Sequence, residues 1–306
     1  MIVVVCPGQG SQTPGFLAPW LDLPGNRERL EALSELAGTD LVAHGTTSDA
    51  DTIRDTAVAQ PLIVAAGLLT LASLFAAGRR DRVRGTAGHS VGEITAAVAA
   101  GILSEDDAMR FVGERGRAMA AAAAAAETGM SAVIGADEAE LRPLLSRLGL
   151  WPANFNGGGQ IVVAGELAAL QRLKDEPPAG ARVIPLQVAG AFHTEYMAPA
   201  VERLKPVAAA LDAHDPTMTI WTNSIGKPVP VGRTFVESLV SQVRNPVRWD
   251  KTMEAFAETG VTGIIEVSPA GALTGLAKRG LKGVPAVAIK TPDDLEAAYE
   301  MIDGNA

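Results

Sequence analysis

Apolar residues in this chain fall into short unbroken runs separated by helical spacings. Residues 2–6, Ile-Val-Val-Val-Cys, form such a run, as a strand buried on both faces requires. Pro7-Gly8-Gln9-Gly10-Ser11-Gln12 ends it. The pattern predicts an amphipathic helix over 30–36 and a second short one over 51–58. Gln60-Pro61 is expected to open a long apolar helix, since proline suits a first turn. Residues 83–87 read as another strand and 93–100 as a helix stopped by Gly101. Ser104 with Asp107 resembles a capping box, starting a helix that carries Phe111, Arg115 and Met119. Seven alanines, Ala120 to Ala126, prolong it as a packing surface without side-chain chemistry.

The order then changes. Strands over 130–134, 160–164 and 182–188 frame helices over 137–148 and 166–174, and 152–155 supplies a further strand. This is compatible with a split βαβ module of ferredoxin-like type, with Pro177-Pro178-Ala179-Gly180 as a turn inside it. Alternation resumes afterwards: helices over 198–213, 236–243, 252–258, 272–281 and 295–302, strands over 219–222, 263–267 and 286–289. Strands alternating with helices imply crossover units and a mostly parallel sheet. The expected fold is α/β, with residues 1–126 and 190–306 as the large unit and 127–189 inserted as a small ferredoxin-like subdomain.

Composition narrows the function classes. The chain has 306 residues, 47% of them hydrophobic, enough for a large core. The apolar stretch 62–77 is broken by Gly67 and Thr70 and reads as too short to span a bilayer. Residues 2–5 are too few for the apolar part of a secretion signal, so a cytoplasmic protein is expected. The formal net charge of −9 argues against a nucleic-acid partner. An acidic partner protein would need a local basic run. Two exist: Arg79, Arg80, Arg82 and Arg84, and Lys278, Arg279 and Lys282, the second being favoured for docking. Cys6 is the only cysteine, which excludes an internal disulfide and suggests an inert core thiol. The four histidines, His44, His89, His193 and His214, include no close pair, so no metal is expected. No cofactor is expected either.

Chemistry concentrates at Gly88-His89-Ser90-Val91-Gly92-Glu93. Gly-x-Ser-x-Gly between a strand and a helix is a candidate nucleophile elbow; a glycine-rich turn packing helix on sheet would use the same residues. His193, in Gly190-Ala191-Phe192-His193-Thr194, is the one histidine in a loop far downstream, where an elbow enzyme keeps its base. A structural loop histidine would also fit. Gly8-Gln9-Gly10 exposes backbone N–H groups suited to an oxyanion hole, or forms a simple turn.

These stretches, with Gln60-Pro61, Arg115-Gly116-Arg117-Ala118-Met119 and Asn245-Pro246-Val247-Arg248-Trp249, make the chain resemble bacterial malonyl-CoA:acyl-carrier-protein transacylases along nearly its whole length. The resemblance implies a hydrolase-like α/β domain with an inserted ferredoxin-like subdomain and a crevice between them. It implies transfer from malonyl-CoA through a malonyl ester on Ser90 to an acyl carrier protein, serving type II fatty acid or polyketide synthesis. It further implies His193 as base and acid, the amides of Gln9 and Val91 as oxyanion hole, and the Gln242 main-chain carbonyl as the group orienting His193. Arg115 aligns with the substrate-binding arginine. A guanidinium offers two parallel donors to the malonyl carboxylate, and Arg117, two residues on, points away. In related acyltransferases a Phe at the position of Phe192 accompanies malonyl selection. A monomer is expected. The rival readings are a serine esterase or thioesterase, which needs a triad acid and no Arg115, and a non-catalytic carrier-docking subunit.

Overall fold

The computed structural model describes residues 1–304. Among these are ten strands: β1 Ile2–Cys6, β2 Val83–Gly88, β3 Thr128–Ile134, β4 Trp151–Gly157, β5 Gln160–Glu166, β6 Arg182–Pro185, β7 Thr219–Trp221, β8 Val247–Arg248, β9 Gly263–Glu266 and β10 Ala286–Ala288. They form two sheets. The first, ordered β10-β9-β1-β2-β7, is parallel throughout, and helices cover both its faces, as parallel sheets require. Every residue of β1 is buried. Ile2, Val4 and Cys6 face the main apolar cluster, while Val3 and Val5 pack with Trp221, Trp249 and Phe256 on the other side. Burial pushes the Cys6 thiol far above its ordinary pKa, which leaves it an inert core group.

The second sheet, β6-β3-β5-β4-β8, is antiparallel except for β4 with β8. Its last strand, Val247–Arg248, comes from outside 127–189. It therefore ties the small sheet to the large unit. Two residues are too short a run for any periodicity to reveal.

Several helices begin where a cap rather than a period dictates. The long apolar helix spans Thr56–Leu74, so Pro61 lies inside it and does not open it. Asp55 starts it, accepting a hydrogen bond from the Ala57 N–H at 2.7 Å. By length and composition this helix could cross a membrane, yet 78% of its most apolar window is buried inside the protein, against the helices Gly92–Ala99 and Glu105–Ala123. Ser104 caps the latter through the Asp107 N–H at 3.1 Å. That helix stops at Ala123, short of the alanine run's end, because Thr128 already belongs to β3.

Candidate active site

Parallel neighbours β1 and β2 release their loops at the same sheet edge, which is where α/β sheets gather ligands. Gln9 follows β1 and Ser90 follows β2. The turn at Ser90 is severe: its φ is 53°, in the left-handed region that a side chain rarely adopts. The glycines around it are obligatory. A Cβ on Gly88 would collide with the Gly92 carbonyl, and one on Gly92 with the Cys6 carbonyl. The hydroxyl is thus held over the first turn of the helix Gly92–Ala99.

His193 shares this strain, with φ 61°. Its Nδ1–H must be a donor, because the partner is the Gln242 main-chain carbonyl at 2.8 Å. That fixes the tautomer. Nε2 is then an acceptor for the Ser90 hydroxyl, 2.8 Å away. Burial, then the nearby Arg115 charge, pull its pKa down to about 3, so the ring is neutral and able to take a proton. No carboxylate stands behind it, so the triad acid of an esterase is missing at Nδ1.

The backbone N–H groups of Gln9 and Val91 have no acceptor within the described protein, which leaves both free to receive a developing anion. Arg115 is fully buried, as Arg117 is not. Its Nη1 donates to Gln60 Oε1 at 2.5 Å. Nη2 reaches Ser90 Oγ and Gln242 Oε1, each at 3.3 Å, and Nε has no partner. The Nε–Nη2 edge beside Ser90 therefore offers a free donor at Nε and, at Nη2, donors held only by two long contacts. Burial lowers the Arg115 pKa to about 10, opposed by Glu93, so the guanidinium stays charged at neutral pH. Arg117 turns away, donating to the Ala37 carbonyl and to Glu114, both at 2.8 Å.

Ser90, His193, Arg115, Gln9, Val91 and Phe192 line one small cavity of about 80 Å³. It adjoins a wider channel of about 430 Å³ through shared residues including Gln9, His89 and Asn154. Asn154, from β4, belongs to the second sheet, so the cleft lies between the two. Arg279 lines the channel, and Lys278 and Lys282 are exposed nearby in sequence. In the other basic run, Arg79 and Arg82 bind Asp303 and Arg80 binds Thr217. Among the described residues, no three His, Cys, Asp or Glu side chains could jointly hold a metal.

Sequence reasoning names Gln242 for its carbonyl alone and gives Gln60 and Asn154 no role. The Gln242 side chain also enters the site, and Gln60 grips Arg115. Only the Gln60-Pro61 motif offered a signal. Asn154 carries a buried, unpartnered Oδ1 that no spacing announces.

An acyl transferase domain family model matches residues 3–293. The chain is 51% identical over 299 residues to a malonyl CoA-acyl carrier protein transacylase of Mycobacterium bovis, covering 97% of this chain and 98% of that one. A crystal structure of MCAT from Mycobacterium tuberculosis superposes with a TM-score of 0.94 at 50% identity, covering 97% of this chain and 99% of that one. A type II PKS acyl-carrier protein in complex with its malonyl-transacylase matches with a TM-score of 0.91 at 31% identity, over 98% of this chain and 99% of that one.

Proposed function

We propose, from the premise that this chain belongs to the acyl transferase family, that it moves a malonyl group from malonyl-CoA to the phosphopantetheine thiol of an acyl carrier protein, through a malonyl ester on Ser90. One observation carries the reading: a buried guanidinium stands 3.3 Å from the nucleophilic hydroxyl, where a carboxylate-bearing acyl group needs a cation.

In the first half-reaction His193 Nε2 takes the hydroxyl proton as Ser90 Oγ bonds to the thioester carbon. The carbonyl oxygen becomes an oxyanion, received by the N–H groups of Gln9 and Val91. The C–S bond breaks, and His193 returns the proton to the departing coenzyme A sulfur. The second half reverses the roles. The pantetheine thiol gives its proton to His193 as its sulfur bonds to the ester carbon, the C–O bond to Ser90 breaks, and the Ser90 oxygen takes that proton back. Arg115 holds the malonyl carboxylate throughout, and this second negative charge offsets the cation that depresses His193, easing its protonation during transfer.

On this reading residues 1–126 and 190–306 are the catalytic unit, covered by 127–189. The carrier arm enters by the channel past Arg279. The product feeds fatty acid or polyketide synthesis, and the enzyme works as a cytoplasmic monomer, its net charge of −9 disfavouring nucleic acid. Incubation with malonyl-CoA, with and without carrier protein, tests the function. Malonyl-Ser90 alone and malonyl-carrier in the mixture are expected; fast release of free malonate would favour the esterase.

Selectivity has two sources. Phe192 is buried in the cavity lining, and on this reading its ring is the steric filter against a methyl branch on the malonyl α-carbon. Phe192→Ser should relax discrimination against methylmalonyl-CoA by about 1–3 kcal/mol. A variant as strict as the parent in mixed-thioester competition would move that filter elsewhere. Arg115→Ala should cut the malonyl-over-acetyl preference by about 10- to 100-fold, the range of a hydrogen bond to a charged group. An unchanged ratio would show that the carboxylate binds another residue.

A further inference from the structure

Glu93 closes the elbow motif and is wholly buried in the first turn of its helix. Its Oε1 accepts the Asn223 N–H at 2.6 Å, and its Oε2 accepts Gln242 Nε2 at 2.6 Å. Asn223 in turn donates its side-chain amide to the Gly88 carbonyl at 2.8 Å. The carboxylate is thereby fixed to the elbow's own backbone on one side and to Gln242 on the other.

Gln242 is the residue on which the whole site converges. Its main-chain carbonyl holds His193 at 2.8 Å. Its Nε2 also donates to the Ser90 carbonyl at 3.1 Å, and its Oε1 accepts from Arg115 at 3.3 Å. An amide can be turned either way, and its NH₂ end would repel a guanidinium. Glu93 settles the matter: both of its oxygens accept N–H donors, from Asn223 and Gln242, so it takes the NH₂ end and leaves the oxygen for Arg115.

We propose that Glu93 is a positioning residue of the transfer reaction, orienting Gln242 so that this one residue sets His193, the Ser90 backbone and Arg115 together. The inference rests on the malonyl-transfer reading and deepens it. Stability does not account for the group. Burial raises the Glu93 pKa to about 7 against its hydrogen bonds and the Arg115 charge, so its ionised form costs the native state stability at neutral pH. Groups kept in such surroundings are characteristic of functional sites.

The test is a double-mutant cycle on Glu93→Gln and Gln242→Met, the second leaving both the 242 carbonyl and Glu93 in place. The readout is the rate of malonyl ester formation per active site, with sites counted as ester formed at completion, so that any unfolded fraction drops out. Each single variant should lose about tenfold or more in kcat, as expected of coupled buried contacts, with the KM for malonyl-CoA within about threefold because Gln60 still holds the Arg115 guanidinium. The double variant should be no slower than the slower single. A parental rate in either single variant, or losses that multiply in the double, would overturn the proposal. If Glu93→Gln does not fold, Gln242→Met alone decides by the same rate. A parent that acylates Ser90 from some other thioester would overturn the substrate reading, while the cycle stays readable with that thioester.

Discussion

Replacing Ser90 with alanine should abolish the malonyl-enzyme outright. The hydroxyl is the group that His193 Nε2 contacts, at 2.8 Å, and it lies beside the free N–H groups of Gln9 and Val91. No other hydroxyl or thiol lines the inner cavity. Alanine at this φ bears the same backbone strain as serine, so the loss would be chemical and not a collapse of the turn. Mass spectrometry after brief exposure to malonyl-CoA checks it. A malonyl adduct persisting on the variant would remove Ser90 from the mechanism. Slow turnover to water can remain, since the oxyanion donors survive and by themselves still accelerate acyl transfer.

His193→Ala should slow formation of the malonyl ester by about 10²–10⁴-fold, the usual contribution of a placed acid–base group. A near-normal rate would place the base elsewhere. The pH dependence carries a sign of its own. Burial and Arg115 hold the ring at about 3 in the folded protein, against about 6.5 for a free histidine. The resting base is therefore neutral across the physiological range, and acylation by the parent should show no loss from His193 titration near 6.5. The same shift acts on stability. Below about 6.5 the unfolded chain binds a proton at this residue and the native one does not. The contribution of His193 is fully present above 6.5 and is lost progressively as pH falls toward 3. Denaturant titrations at several pH values should show a smaller acid-side loss in His193→Ala than in the parent. Equal losses would mean that the imidazole is protonated in the native protein.

Much of this was legible in the chain itself. The β-branched run 2–6, the strand before the elbow and the switch of order after Gly129 follow from side-chain period and turn chemistry, which are local properties. Ser90 and His193 stood out because their chemistry restricts residue type, a hydroxyl at a glycine-flanked turn and an imidazole in a downstream loop, although a structural turn and a structural histidine fitted the same residues until the resemblance chose between them. Helical geometry showed that only one of Arg115 and Arg117 could face the crevice, since two residues on a helix point apart, and the resemblance chose Arg115. The resemblance carried the rest of the reaction.

Tertiary structure decided what depends on atoms far apart in sequence. The Thr56 start of the long helix rests on a cap, and β8 is too short to show a period, so neither could be read from spacing. Any residue supplies a carbonyl, so the Gln242 contact with His193 is invisible in a string of letters. Its side chain bridges Glu93, Ser90 and Arg115 across 127 to 152 positions. Such bonds are made by proximity after folding. Sequence therefore determined which chemical groups this protein owns and which elements carry them, while the packing of two sheets against each other decided which groups face one cleft and which charges remain unpaired there to meet a substrate.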